Sequence, residues 1–231
     1  LIGVERVAEI FAYLDDAEPY LKELPIESAA KIVSEMDSDD AVDVLEEMDA
    51  TTKHKIVGML DKEASDDVRL LFSYDDDEIG SRMTTNFIMI HNHLTIRQAM
   101  RELVEQAGEN DNISTIYVID EEDKFYGAID LKDLIIAREY TDLEDIISHS
   151  YPYVMDHEKV SDCIDKIRDY AEDSIPVLQE NGTIAGIITS QDIVEAVDDE
   201  MGDDYAKLAG LTAEEDLNET LPQSIKKRLP W

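Results

Sequence analysis

The sequence predicts an α + α/β chain: an N-terminal all-helical, superhelical (solenoid-like) domain, a strand-and-helix unit written twice, and a C-terminal connecting helix. Three observations predict it. Apolar residues followed by a turn residue recur every twelve positions over residues 20–75. Strand-like runs begin only after Gly80, and they come in two sets offset by 59 residues. From Thr189 to Asp204 a single amphipathic pattern reads as one helix.

In the first third, Leu24-Pro25, Met36-Asp37, Met48-Asp49, Leu60-Asp61 and Phe72-Ser73 mark the repeat. Between them run short amphipathic stretches such as Ala29, Ile32, Val33 and Ala41, Val44, Leu45. Ser38, Asp39, Thr51 and Ser65 have the chemistry of helix N-caps. Each short helix has one apolar face to bury against its neighbours, which is the logic of a solenoid. Val4, Val7, Ile10 and Phe11 place one more helix ahead of the repeat. Acids gather at the turns: Asp37, Asp39, Asp40 and Asp43, then Asp66 and Asp67. Asp39 and Asp43 are i, i+4 and share a helix face. An N-cap and a cation ligand are both open readings of Asp39. The run Asp75-Asp76-Asp77-Glu78 before Gly80 reads as a linker or helix cap.

In the middle, Ile116–Ile119 and Ala128-Ile129 flank a turn at Asp120 to Lys124, and Ile175–Leu178 and Ile187-Ile188 flank a turn at Glu180 to Gly182. Val118 matches Val177, Gly127 matches Gly186 and Asp133 matches Asp192, at an offset of 59. Upstream, Ile96 matches Val160 and Met83-Thr84 matches Ile147-Ser148 at an offset of 64, so the first copy is longer before its hairpin. Helices are expected over Ile96 to Ala107, Val160 to Tyr170, Leu131 to Ala137 and from Gln191. A unit of about 60 residues has little core of its own, so the two copies should pack together.

Composition narrows the function. With 20 Lys and Arg against 56 Asp and Glu, the formal charge is 20 − 56 = −36. Yet 43% of the residues are hydrophobic, which argues for folded domains. Such a charge disfavours nucleic acid and anionic membrane surfaces as direct partners and favours cations. The single cysteine, Cys163, excludes an internal disulfide and has the pattern of a buried thiol. No apolar run reaches the roughly 18 residues of a membrane span. The first residue is Leu1, which fits a fragment.

The helix from Thr189 has an apolar side (Ile193, Val194, Val197, Met201) and a carboxylate side (Asp192, Glu195, Asp199). Glu200, Asp203 and Asp204 extend the acidic side, with no Lys or Arg from Thr189 to Asp204. Like charges at these spacings cost a few tenths of a kcal/mol per pair. A solvated acidic face and a cation-binding face are both open on this pattern. Lys226-Lys227-Arg228 and Trp231 end the chain, as an ordinary basic terminus would, or as a chain does at the cytoplasmic threshold of a membrane.

The duplicated unit resembles the CBS (cystathionine β-synthase) domain, which occurs in tandem pairs. The matching motifs are Met83-Thr84 with Gly127-Ala128-Ile129-Asp130-Leu131-Lys132-Asp133, and Gly186-Ile187-Ile188-Thr189-Ser190-Gln191-Asp192. In nucleotide-binding CBS pairs a Thr or Ser of this motif contacts phosphate and its Asp accepts from ribose. The resemblance implies Thr189 and Asp133 as contacts for ATP or another adenosine nucleotide. Asp130 stands where the first copy's hydroxyl would be, and Asp192 and Asp133 as helix caps are the plain alternative.

Taken whole, the chain resembles the cytosolic region of the MgtE family of magnesium transporters. The resemblance rests on Glu35 to Asp43, the CBS-like pair, and Asp192 through Leu208. It implies a helical N domain over 1–78, CBS domains over 79–140 and 141–200, and a connecting (plug) helix over 201–231. It also implies a covalently attached transmembrane pore domain, a location on the cytoplasmic face of the membrane and a homodimer through the CBS domains. Mg²⁺ is the implied metal. Its ligands by match are Glu9, Asp39, Asp43, Asp192, Glu195, Glu200, Asp203 and Asp204. One family carboxylate falls on Ala171, between Asp169 and Glu172. The implied function is Mg²⁺ sensing that closes the pore. The alternative is a soluble adenosine-nucleotide-sensing module that regulates a partner enzyme. An enzyme is not expected: His91 and His93 sit in a polar turn without a third ligand, His54, His149 and His157 are isolated, and no phosphate loop or nucleophile elbow is present.

Overall fold

The structure, a computed structural model, describes residues 3–12, 14, 17–108, 110–163, 172–192 and 194. The expected helix end up to Tyr170, Ala171, and the chain from Glu195 onward, with Glu200, Asp203, Asp204 and the connecting helix, lie outside the described residues.

The solenoid consists of α1 (Val4–Ala12), α2 (Glu18–Glu23), α3 (Ile26–Ser34), α4 (Ser38–Glu46), α5 (Ala50–Val57) and α6 (Lys62–Leu71). The last four start at 26, 38, 50 and 62, reproducing the period of twelve. The caps differ from expectation. The aspartates of the repeated dipeptides hold the N-cap positions: Asp49 accepts from the amides of Thr51 and Thr52, and Asp61 from that of Ala64. Asp37 holds the same position ahead of α4 without a capping bond. Asp49 and Asp61 lie two and four residues before the expected Thr51 and Ser65, where a carboxylate reaches the free amides of the first turn, and Ser38 and Asp39 fall inside α4 instead of capping it. In α1 the inward residues are Ala8, Val7 and Phe11, while Val4 and Ile10 are about half exposed.

The two units follow as expected. The first has β1 (Ile88–His91), α7 (Ile96–Gln106), β2 (Thr115–Ile119), β3 (Phe125–Asp130) and α8 (Leu131–Ile136). Described strands of the second are β4 (Val154–Met155), β5 (Ser174–Leu178) and β6 (Ile184–Thr189). Each forms a three-stranded sheet with its middle strand parallel to one neighbour and antiparallel to the other. Val118 faces Gly127 and Val177 faces Gly186, so the sequence offset is a structural one. Even the turns match: Gly182 has φ 88° and Asp123, 59 residues earlier, has φ 60°. Left-handed backbone in both turns suits a glycine in one and an aspartate in the other.

The copies interlock through their entry segments. Thr84 N donates to Ile187 O and Ile187 N to Thr84 O, both at 2.9 Å. Ser148 N donates to Ala128 O at 2.8 Å and Ala128 N to Ser148 O at 3.2 Å. Each copy therefore adds its entry residue to the last strand of the other. This also explains Pro176 in the middle of β5. Its partner Ile187 turns its polar backbone away, toward Thr84, so no ladder bond is lost at the proline. Between the copies lie Tyr117, Ala128 and Ile187, all buried, with Phe87, Phe125 and Tyr151 around them. Tyr117 OH lies 2.6 Å from Ser174 Oγ, and Tyr151 OH donates to Ser174 O at 2.8 Å, so the buried phenols are satisfied.

The run Asp75–Glu78 leads into a short 3₁₀ helix, Ile79–Arg82, docked on the second unit rather than spanning a gap. The solenoid core continues through Ile79 and Met83 into Val154, Cys163, Ile175, Val177 and Ile188. Solenoid and second unit share one apolar core; the first unit has its own around Ile88, Ile116 and Leu134. Cys163 is fully buried, and its thiol donates to Glu158 Oε2 at 3.0 Å.

Gly186 and Gly127 make the interlock possible. A Cβ on Gly186 would lie 2.8 Å from Thr84 O and from Met83 Sδ; one on Gly127 would lie 2.7 Å from Ser148 O. A main-chain oxygen in a paired strand cannot retreat. Gly186→Ala and Gly127→Ala should each destabilise the chain by about 1–3 kcal/mol, read as a lower urea midpoint, whereas Gly3→Ala, with nothing within 4 Å of its Cβ position, should not.

Candidate metal interface

The N-terminal turn of α4 meets the CBS-like pair. Ser38, only 7% exposed, accepts from Thr85 N at 2.9 Å, and its hydroxyl lies 3.2 Å from that of Thr85. Asn86 Nδ2 donates to Asp37 Oδ1. These bonds fix α4 against the entry of the first unit. The entry residue Thr84 is in turn fixed on β6 of the second unit. At the end of β6, Thr189 N donates to Asp192 Oδ2 at 2.7 Å, and Asp192 N lies 3.4 Å from Thr189 Oγ1. That reciprocal pair is a helix cap, and it fixes the Asp192 carboxylate at the end of β6.

Asp39 is the group this arrangement confines. Its Oδ1 is buried and has no hydrogen-bond partner. Burial first, and then the charge of Asp192, with Asp40 and Asp37 adding to it, push its pKa up from 3.8 to about 8. Two of the acids expected from sequence, 153 residues apart (192 − 39), are thus near enough for the charge of one to raise the pKa of the other. A buried carboxylate oxygen with no donor and a like charge opposite has two stable remedies. It can hold a proton, or it can accept a cation.

The other expected ligands fall elsewhere. Asp43, one turn along α4, lines a small cleft of about 100 Å³ with Glu46, Asp76 and Arg82. Glu9 lines a cleft of about 560 Å³ between solenoid and first unit, together with Asp37, Asp67 and Asp111, and Asp39 and Asp192 are not among its lining residues. Burial raises the pKa of Asp37 there, opposed by its Asn86 bond and reinforced by the Asp111 charge. Asp111 was not among the acids read from sequence. It belongs to the extra residues that make the first copy longer than the second, and that inequality was the available signal. Among the described residues, no three His, Cys, Asp or Glu converge as a ready metal cage. Thr189 is occupied in the cap with Asp192, and Asp133 is exposed on α8. The His91 and His93 rings lie 5.3 Å apart in their turn, whereas His149 and His157, expected to be isolated, each lie 3.0 Å from a carboxylate, those of Glu144 and Glu78. No described helix is long and apolar enough to cross a membrane.

Residues 1–77 match the MgtE intracellular N domain, and residues 77–140 and 143–199 each match the CBS domain. The magnesium transporter MgtE of Enterococcus faecalis is 36% identical over 169 residues, 73% of this chain and 37% of that protein. MgtE of Bacillus subtilis is 30% identical over 206 residues, 88% of this chain and 45% of that protein. The chain therefore spans less than half the length of either relative. A crystal structure of the soluble part of a magnesium transporter superposes with a TM-score of 0.81 at 32% identity, covering 86% of this chain and 79% of that one. The cytosolic domain of the Mg²⁺ channel MgtE in complex with ATP superposes at 0.78 and 28% identity, over 84% of this chain and 81% of that one. These relatives are transporters and not enzymes, in keeping with the missing catalytic motifs. With its helical third and its paired units both matched, and with a solved counterpart of the same layout, the chain belongs to the MgtE family of magnesium transporters.

Proposed function

We propose that this chain is the Mg²⁺-sensing cytosolic region of a membrane magnesium transporter, and that cations between its acidic surfaces favour the closed pore. The observation that carries the proposal is the donorless, buried Oδ1 of Asp39 opposite Asp192. Mg²⁺ takes six oxygens at about 2.1 Å and keeps several waters, so one carboxylate from each side suffices. When bound, it supplies positive charge between the two surfaces. Asp39 and Asp192 are the proposed first pair. Asp43, Glu195, Glu200, Asp203 and Asp204 are proposed as further ligands, with Glu9 at its separate cleft. The attached pore domain, the cytoplasmic face of the membrane and the homodimer follow from the same reading. Ile135 and Ile136 on α8 and Val104 on α7 expose apolar surface that a second copy would cover. Family membership favours this reading over the soluble enzyme regulator.

A second ligand is also proposed. The ATP complex of a relative supports an adenosine nucleotide on the CBS pair. Asp133, exposed on α8, is the proposed ribose contact, with Thr189 proposed on the second copy. Calorimetry should then show ATP binding that Asp133→Asn weakens by about 1–3 kcal/mol, with no change in thermal midpoint in the absence of nucleotide.

Three outcomes test the sensor. Small-angle scattering in EDTA and then in Mg²⁺ should show the radius of gyration fall as Mg²⁺ rises; an unchanged radius in a constant oligomeric state defeats the reading. The pH dependence has a defined sign. Asp39 is raised from 3.8 to about 8 in the folded chain. Stability relative to the charged form is therefore full below the ordinary value and is lost as pH climbs through about 8. Without divalent ions, the thermal midpoint should fall across that window, and Mg²⁺ should restore it while releasing a proton. Asp39→Asn removes the charge but keeps the shape. At pH 8 in EDTA it should raise stability by about 1–2 kcal/mol, or roughly 2–8 °C, and should shrink the Mg²⁺-induced gain.

A further inference from the structure

The turn between β1 and α7 carries His91-Asn92-His93, which neither the sensor nor the nucleotide reading uses. The two imidazole rings lie 5.3 Å apart, tilted by 33°. Two imidazoles that share a tetrahedral ion at about 2.0–2.1 Å per nitrogen have their centres roughly 5 Å apart. His91 Nδ1 lies 3.3 Å from Asp120 O. A carbonyl oxygen only accepts, so in the neutral ring Nδ1 carries the proton and Nε2 keeps its lone pair. A backbone carbonyl on the other ring nitrogen is a common way in which metal-ligating histidines are oriented. His93 is exposed, and its ring nitrogens have no hydrogen-bond partner among the described residues.

The backbone beneath the pair is fixed from both sides. His91 pairs with Ile119 in the sheet, Asn92 N donates to Ile119 O at 2.9 Å, and Leu94 N donates to His91 O at 3.4 Å. Thr95 then opens α7 with a reciprocal capping box to Gln98. Only side-chain torsions remain to be set when a ligand arrives, which lowers the cost of binding one. Asp120 adds negative charge beside the pair. Its Oδ1 accepts from Lys124 N at 3.0 Å and from Glu122 N at 2.8 Å. Those two amides, against some desolvation, hold its pKa below 3.8, with the charges of Lys124 and His91 adding to the effect. The second unit has no such pair. At the offset of 64, His93 matches His157, but His91 matches Met155. His157 is engaged with Glu78 instead.

We propose that His91 and His93 form a two-point site for a borderline divalent transition ion of the Zn²⁺ class, with water completing its shell. Among the described residues, no third His, Cys, Asp or Glu joins them. Imidazole nitrogen suits such ions, whereas Mg²⁺ prefers oxygen and gives up its water reluctantly. The site is therefore chemically separate from the sensor and does not rest on that reading. An ion bound there closes the turn that joins β1 to α7 in the first unit.

The test keeps the whole chain at neutral pH in about 10 mM Mg²⁺, so that oxygen sites are already supplied. Zn²⁺ is then added while NMR follows the imidazole resonances of the five histidines. His91 and His93 should move together and saturate at one ion per chain, with a dissociation constant of about 1–100 µM. His54, His149 and His157 should not follow them. In calorimetry, His91→Gln and His93→Gln should each weaken Zn²⁺ binding at least about tenfold, with the thermal midpoint in the absence of Zn²⁺ unchanged. No movement up to about 1 mM Zn²⁺, equal movement of all five histidines, or unweakened binding by either variant overturns the site. Should a variant fail to fold, the resonances of the unsubstituted chain decide alone.

Discussion

The exchange of two backbone hydrogen bonds between Thr84 and Ile187 positions everything else. It places the first residues after the solenoid on the last strand of the second unit. Thr85 and Asn86, next in the chain, then hold α4 through Ser38 and Asp37. Because β6 ends at Thr189, the same strand delivers Asp192 to the surface that α4 covers. A short length of chain thus sets the distance between carboxylates from opposite ends of the sequence. The glycine at 186 is the steric condition for it: any side chain there would strike the Thr84 carbonyl.

Electrostatics then works against what the backbone has arranged. The chain carries −36 formal charges, and its described contacts sort them unevenly. Bases are spent where the solenoid's C-terminal end meets the second unit, at His157 and Lys159. At α4 the charge of Asp192 adds to burial in raising the pKa of Asp39 to about 8. A shared apolar core, from Leu45 through Met83 to Val177, keeps the solenoid docked despite that repulsion. The interface is therefore held by hydrophobic burial and by the backbone bonds and ion pairs around residues 77–80, with the two carboxyl groups of Asp39 and Asp192 near each other at α4. On the proposed reading such an interface would respond to cations, because one favourable term does not depend on them and one unfavourable term does.

Much of this was legible in the sequence for physical reasons. A twelve-residue helical repeat and a duplicated hairpin unit are periodic, and periodicity survives without knowledge of tertiary contacts. The equivalence of Met83-Thr84 with Ile147-Ser148 was visible as an offset, but its meaning, an exchange of entry segments, was not. Strand partners across copies leave no local pattern. The caps lie two and four residues before the expected Thr51 and Ser65, because Asp49 and Asp61 look like turn residues until the amides they accept from are in place. The run at 75–78 reads as a linker for the same reason: Lys159 and His157 lie about 80 residues away in sequence. The candidate site divides similarly. Asp39 and Asp192 came from matching motifs, whereas the confinement of Asp39 Oδ1 is a property of the assembled interface. Asp111 lay in an insertion, where comparing one copy with the other offers no counterpart.

Magnitude decides how far the Asp39–Asp192 pair can act alone. A cation bound only to the closed form, at ten times its dissociation constant, contributes about 1.4 kcal/mol. Turning a balance from 1:99 to 99:1 takes about 5.5 kcal/mol. One pair therefore tilts the equilibrium but does not switch it. Asp43 has Arg82 lining the same cleft, a permanent positive charge that already competes for its carboxylate. The further ligands proposed beyond Asp192 are Glu195, Glu200, Asp203 and Asp204, which follow it in sequence. On the sensor reading, a steep response requires about three more cations there. A gradual response would mean that the pair at α4 is the whole of the sensor.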